Sequence, residues 1–206
     1  MSNAGFRWLS AQQISVAGHS IWAFRMSYAG ELGWEFHMPH AACLDVYTAL
    51  WAAGEPHKIA DYGSFAMNVM RMEKGFKGAG ELTNEVTLAE ADVLRFARTD
   101  KDYLGRDKTL NTDLPWICAY LEIEPDGKSD GHGGEAVMQS GQIIGSTASM
   151  AFGPTIGKIL AFAYIKPEAA KPGTALEVVI HGVERNARVL GEPAYDPQNL
   201  KPRMDA

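Results

Sequence analysis

The chain has 206 residues and a formal net charge of −6, and only two of its residues are cysteines. This length is enough for one large domain or two small ones with a buried core. The sequence has no run of about eighteen apolar residues, which argues against a membrane-spanning helix, and its scattered Lys and Arg argue against nucleic acid as a partner. Cys43 and Cys118 lack the spacing of a disulfide framework or a zinc site, so a reducing, cytoplasmic location is predicted.

The beginning of the chain, residues 1–4, resembles the remnant of an expression tag. Natural sequence is therefore expected to begin near Gly5.

The first half of the chain predicts strands followed by two helices. Alternation of apolar and polar residues predicts strands over 14–16, 21–28 and 34–38. Helical spacing predicts one helix from Pro39 to Gly54 and a second from Asp61 to Gly75. Their predicted buried stripes are Cys43, Val46, Tyr47, Leu50 and Trp51 in the first helix, and Tyr62, Phe65, Ala66, Val69 and Met72 in the second. This order of elements indicates an α+β fold rather than a doubly wound sheet.

The second half changes in character after a predicted linker at residues 111–115. Before the linker, residues 87–96 are compatible with a helix or a strand, and residues 105–108 with a short helix or a turn. After it come five β-like runs separated by turns rich in Gly, Pro and Asp, namely 116–123, 141–149, 158–165, 175–180 and 183–190. Short strands at this spacing predict a small antiparallel barrel or sandwich.

The densest group of candidate site residues lies between the second and third predicted strands. Gly30 and Gly33 permit positive φ and a close approach of a ligand to the backbone. A carboxylate at this sheet edge, from Glu31 or Glu35, can accept two parallel hydrogen bonds from an amidine-like edge such as that of a pterin or guanine. The alternative is a surface hairpin whose glutamates are solvated.

A second candidate is the end of the second helix. Glu73 falls within the predicted apolar stripe and at the helix C-terminus, where the macrodipole disfavours an anion, so its carboxylate needs a partner or a function. Arg71 points to nearly the opposite side. One interpretation makes Arg71 a solvated arginine and Glu73 part of a structural ion pair. The other has Arg71 hold the anionic tail of a ligand.

Two further patterns are set aside as sites. The glycines of residues 131–134 lack the Lys-Ser/Thr and the strand-to-helix context of a phosphate loop, which predicts a hairpin tip. The histidines, including His37 and His40, have no metal-ligand spacing, so no metal site is predicted.

At this point the sequence resembles the glycine-cleavage T-protein superfamily of folate-dependent one-carbon transferases. Residues 27–35 are similar to its Y-T/V-G-E-x-G-Y/W-E signature, and residues 69–75 to its L-R-L-E-x-G helix end. Residues 102–107 are similar to D-F-I-G-R/K-x, and residues 145–158 to G-x-x-T-S…P-x-x-G-K. The four segments occur in the family's order and cover nearly the whole chain.

The resemblance implies a partial ferredoxin-like folate-binding lobe over residues 5–110, followed by a small antiparallel β-barrel over residues 116–206. It implies tetrahydrofolate as the acceptor, with Tyr28 contacting the pterin, Glu35 binding its N3 and 2-amino edge, and Arg71 near the ligand. The partner implied is a small N-methyl or aminomethyl donor. The sequence of residues 81–85 resembles the dimethylglycine and sarcosine dehydrogenase branch somewhat more than the glycine-cleavage subunit.

The family's catalytic aspartate precedes the Y-x-G-E motif by far more than the 27 residues that precede Tyr28. The resemblance therefore implies a fragment of an enzyme that is inactive by itself and forms a homodimer through its truncated face. The alternative is a non-catalytic folate-binding scaffold or regulatory protein of the same architecture, related to iron–sulfur assembly proteins. Neither Cys43 nor Cys118 lies in the cysteine-bearing motif of those proteins.

Overall fold

The computed structural model describes residues 3–127 and 131–205, so the predicted tag remnant lies partly outside the described residues. Two compact units share the chain: one comprises the residues up to Met70 and those from Gln198 onward, and the other comprises Arg71–Pro197. The predicted linker at residues 111–115 falls inside the second unit, and a domain boundary at that point stays a prediction. Over the described ranges, no helix is long and apolar enough to cross a membrane.

The first unit is built on an antiparallel sheet of three strands, in the order β1-β2-β3: β1 (Ala11–Val16), β2 (His19–Phe24) and β3 (Glu35–His37). Ala42 and Val46 pack on Ile21 to form its core. Ile21 and Ala23 form the buried face of β2, whereas Trp22, on the opposite face, is 48% exposed. β2 also ends at Phe24, four residues earlier than predicted.

Two helices follow the sheet: α1 (Cys43–Gly54) and α2 (Ser64–Glu73). Both predicted helices are confirmed, but their predicted stripes are mostly wrong. In α1 only Val46 of the predicted set is buried, and in α2 only Met72, while Phe65 is 87% exposed. Periodicity identified the helices, but it did not identify the face of each helix that meets a neighbour.

The second unit begins with the end of α2 and continues through turns. Residues 87–96, predicted as a helix or a strand, form neither, and their one regular element is a 3-10 turn, Leu94–Phe96. Here the Glu90 carboxylate accepts hydrogen bonds from the backbone and the hydroxyl of Thr87, at 2.7 and 2.8 Å, which favours a local turn. Of the two alternatives for residues 105–108, a short helix or a turn, the structure shows the helix, α3 (Arg106–Thr109).

The remainder of this unit is a closed antiparallel barrel in the order β4-β7-β6-β5-β8-β9. Its strands are β4 (Ile117–Ile123), β5 (Ala136–Gln139), β6 (Gln142–Gly153), β7 (Lys158–Ile165), β8 (Ala175–Ile180) and β9 (Val183–Leu190). The α+β class and the barrel are thus confirmed, whereas β5 was missed because four residues carry little periodicity. A Cβ at Gly145 would lie 2.1 Å from the backbone oxygen of Tyr164, so glycine permits the close approach of β6 and β7.

Candidate functional site

A cavity of about 320 Å³ lies in the first unit, beside the segment that connects β2 to β3. Two of the predicted site residues, Tyr28 and Glu35, line this cavity. The connecting turn has Gly30 at φ +79°, as its glycines predicted, and the Glu31 backbone N–H donates to the Ser27 hydroxyl at 3.2 Å. The structure therefore brings the aromatic and the acidic candidate of this segment to one pocket.

Glu35 is the first residue of β3 and lines the pocket. Phe36, the next residue, packs against the core of Ile21 and Val46, so alternation turns Glu35 to the other face. Its side chain is 49% exposed, and His37 Nε2, on the same face, lies 3.7 Å from Glu35 Oε2. This exposure agrees with both interpretations of the segment, the ligand site and the surface hairpin with solvated glutamates, and the carboxylate oxygens can accept N–H donors from a ligand.

Trp34 and Tyr28 supply flat apolar surface to the same pocket. The centroid of the Trp34 ring lies 6.3 Å from that of the Phe6 ring and 5.6 Å from the Arg25 guanidinium carbon. The indole N–H of Trp34 is buried and has no hydrogen-bond partner among the residues that the structure describes.

Three side chains from the α2 region complete the pocket, and the sequence reasoning missed them in this role: Tyr62, Met67 and Met70. Met67 and Met70 are three residues apart, so they project from the same side of the helix. That i, i+3 pair of thioethers is the signal that would have marked this face. The predicted stripe instead followed Phe65 and Ala66, which are exposed.

Arg71, the third predicted site residue, belongs to the second unit. Its Nη1 lies 2.8 Å from Glu81 Oε2 and donates to the Phe76 carbonyl at 3.0 Å, while its guanidinium lies 5.8 Å from the Phe162 ring centroid. The interpretation of Arg71 as a solvated arginine is wrong, because only 5% of the residue is exposed. Contact between Arg71 and a ligand stays a prediction.

Glu73 is buried, as its position in the helix predicted, and the partner that the structure shows for its carboxylate is a backbone N–H group. Its Oε1 accepts a hydrogen bond from the backbone N–H of Thr155 at 2.8 Å. Its carbonyl accepts a second one from the Tyr195 N–H at 2.9 Å. Among the described residues Glu73 makes these hydrogen bonds and no ion pair, so the structural-ion-pair interpretation finds no support there.

The glycine-rich segment 131–134 has its amide donors already bound. The N–H groups of His132 and Gly133 donate to the two carboxylate oxygens of Glu135, at 2.8 and 2.9 Å. The same carboxylate accepts the hydroxyl of Thr147. An internal carboxylate thus takes the place that a phosphate would need, which agrees with the prediction that this is not a phosphate loop.

Comparison with known proteins agrees with this architecture. Residues 1–101 match the family model described as the GCVT N-terminal domain, and residues 118–196 match the glycine cleavage T-protein C-terminal barrel domain. The chain resembles the crystal structure of glycine cleavage system aminomethyltransferase T from Bartonella henselae, with a TM-score of 0.80 at 17% identity over 92% of this chain and 53% of that one. This likeness shows the fold. The chain belongs to the glycine-cleavage T-protein family, because the two family models together match most of its residues.

Relatives of known name include two mitochondrial dehydrogenases and an aminomethyltransferase. The mitochondrial dimethylglycine dehydrogenase of Mus musculus is 29% identical over 99% of this chain and 24% of its own length, and the mitochondrial sarcosine dehydrogenase of the same organism is 33% identical over 98% and 23%. A probable aminomethyltransferase of Thermococcus kodakarensis is 28% identical over 93% of this chain and 54% of its own length. The chain spans about a quarter of the dehydrogenases and about half of the aminomethyltransferase.

Proposed function

We propose that the pocket of the first unit binds the pterin end of tetrahydrofolate, and that the chain is part of a folate-dependent aminomethyl or methyl transferase. The observation that carries this proposal is the position of Glu35, whose carboxylate is exposed at a cavity with flat apolar walls. Bound tetrahydrofolate would supply the nucleophilic nitrogen that accepts the one-carbon unit. The donor would be a small N-methyl or aminomethyl compound, the class that the names of the relatives suggest.

The residues of the pocket fit the pterin ring. A volume of about 320 Å³ is at the small end of the range for ligand pockets, and it suits a bicyclic ring better than a whole folate. The ring presents an N–H beside an NH₂ group, and one carboxylate can accept both. Hydrogen bonds to a charged acceptor are stronger than neutral ones, so Glu35 would fix the orientation of the ring in its plane.

The other pocket residues would act on position rather than on chemistry. Tyr28, which is 38% exposed, would contact the ring, and the turn from Ser27 to Glu31 would hold Tyr28 in place. Fixing the acceptor in one orientation lowers the entropic part of the barrier to group transfer. Three expectations from the sequence remain predictions: that the chain is inactive by itself, that it forms a homodimer, and that it is located in the cytoplasm.

Calorimetry with tetrahydrofolate tests the proposal. Replacement of Glu35 by Gln keeps the shape but removes the charge and one acceptor, and it should weaken binding by about 1–3 kcal/mol. Glu55→Gln is the matched control, since Glu55 is another exposed carboxylate of the same unit and lies outside this pocket. This variant should bind tetrahydrofolate with the same affinity as the unchanged chain. Equal affinities for Glu35→Gln and the control would remove Glu35 from the site.

A further inference from the structure

Helix α1 (Cys43–Gly54) contacts the rest of its unit along a narrow face. Val46 is the one buried residue of this helix. On the other side three large apolar side chains remain in contact with solvent: Leu44 is 73% exposed, Tyr47 49% and Trp51 36%. A helix normally buries its apolar stripe, and no part of the chain that the structure describes covers this one. An exposed apolar patch of this kind marks an interaction surface.

Leu44, Tyr47 and Trp51 recur at steps of three and four residues, so they form one stripe along the helix, which we call the outer stripe. The rings of Tyr47 and Trp51 stack with their centroids 5.8 Å apart, and both line a surface groove of about 330 Å³. The Tyr47 hydroxyl donates to the Asp61 carboxylate at 2.8 Å. These contacts hold the rings in place without a partner, so less side-chain entropy is lost when the stripe is buried.

The outer stripe ends in a basic side chain on one side and an acidic one on the other. His40 lies four residues before Leu44, in the 3-10 turn that leads into α1, and Glu55 lies four residues after Trp51. Both are exposed. About a two-fold axis midway between Leu44 and Trp51, two antiparallel copies of the helix place Leu44 of one copy opposite Trp51 of the other. The same axis places His40 opposite Glu55 at each end.

We propose that the outer stripe of α1 joins two copies of this chain through an antiparallel contact of their helices. Such a contact is self-complementary, because apolar side chains meet in its centre and an imidazole meets a carboxylate at each end. The exposed parts of Leu44, Tyr47 and Trp51 amount to roughly 300 Å² per chain, taking large side chains at about 150–250 Å² each. With the polar ends and both copies included, the contact reaches about 1,000 Å², the lower limit for a specific interface, so the dimer should be reversible.

Sedimentation velocity of the whole chain between about 1 and 100 µM measures this association, and the dimer fraction should rise with concentration. Leu44→Glu would bury a carboxylate against Trp51 of the second copy, and it should raise the dimer dissociation constant at least about tenfold. Leu9→Glu is the matched control, because Leu9 is a leucine of the same unit outside α1 and is 67% exposed. The control should dimerise like the unchanged chain.

Exchange of the charges at the ends tests the antiparallel arrangement. His40→Glu places two carboxylates together at each end, and Glu55→Lys removes the carboxylate that faces the imidazole, so each variant should dimerise more weakly. The double variant His40→Glu/Glu55→Lys should recover the dimer, because Glu and Lys then face each other across the axis. In a parallel pair the double variant would instead bring like charges together.

Circular dichroism melting verifies that each variant is folded. A chain that stays monomeric up to about 100 µM, or a dimer that Leu44→Glu weakens no more than Leu9→Glu does, would overturn the proposal. Failure of the double variant to recover the dimer would overturn the antiparallel contact. Neither result would affect the proposed binding of tetrahydrofolate, since none of the substituted residues lines that pocket.

Discussion

The guanidinium of Arg71 and the carboxylate of Glu81 lie 2.8 Å apart, and both side chains are almost completely buried. Glu81 Oε2 also accepts the backbone N–H of Gly78 at 2.6 Å, so one carboxylate closes the turn that follows α2. An ion pair in this position must compensate for the loss of hydration of both charges. The motif arginine of the helix end therefore has a structural partner within its own unit.

Replacement of Glu81 by Gln should lower the free energy of unfolding by about 3 kcal/mol, because it removes one charge of a buried ion pair. Urea denaturation followed by tryptophan fluorescence measures the change. The matched control is Asp100→Asn, which breaks the Arg98–Asp100 pair. That pair is as short, at 2.6 Å, but both of its side chains are about two-thirds exposed. The control should leave stability unchanged within error, and equal effects of the two substitutions would contradict the importance of burial.

Glu135 should make the barrel sensitive to acid. Partial burial by itself raises the pKa of Glu135, but the hydrogen bonds from Thr147, His132 and Gly133 outweigh it and hold the pKa below its ordinary value. A lowered pKa in the folded state means that the stabilisation is present above the unfolded-state pKa of about 4.3 and is lost as pH falls through the folded-state pKa.

Thermal melting between pH 3 and pH 6 tests this dependence on Glu135. Glu135→Gln should lower the melting temperature at pH 6 and reduce the additional loss of stability on acidification. Thr147→Val removes one hydrogen-bond donor to the Glu135 carboxylate at nearly constant side-chain volume. It should therefore remove part of the dependence of the melting temperature on pH. If the melting temperatures of the unchanged chain and of Glu135→Gln fell equally between pH 6 and pH 3, the Glu135 carboxylate would not determine the loss of stability in acid.

The two cysteines should differ in reactivity. Burial raises the pKa of Cys118 to about 12, so its thiolate is scarce at pH 8, whereas Cys43 is exposed on α1. A chromogenic disulfide reagent should therefore titrate one thiol per native chain at pH 8 and two after unfolding in guanidinium. Cys43→Ser should abolish the native reaction. Rapid reaction of two thiols in the native chain would show that Cys118 is accessible to the reagent without unfolding, and it would contradict the prediction.

Local patterns in the sequence determined the elements and the family of this protein. Alternation over residues 34–38 placed Glu35 on the face opposite Phe36, and helical spacing located α1 and α2, because such periodicities follow from backbone geometry alone. The order of four motifs identified the family, and the matches over residues 1–101 and 118–196 agree with it. Tyr28 and Glu35 were likewise found from a short motif and lie in one pocket.

Tertiary structure decided which faces are buried and which partners the charged groups have. The apolar stripe predicted for α2 pointed to Phe65, yet Met67 and Met70 face the cavity, since a helix buries the side on which its neighbours lie. Glu73 finds its partner in Thr155, 82 residues along the chain, and no local pattern encodes a contact of that separation. The short strand β5 exists because its neighbours β6 and β8 pair with it and close the barrel. Periodicity describes one segment at a time, whereas burial and pairing are properties of the segments that meet.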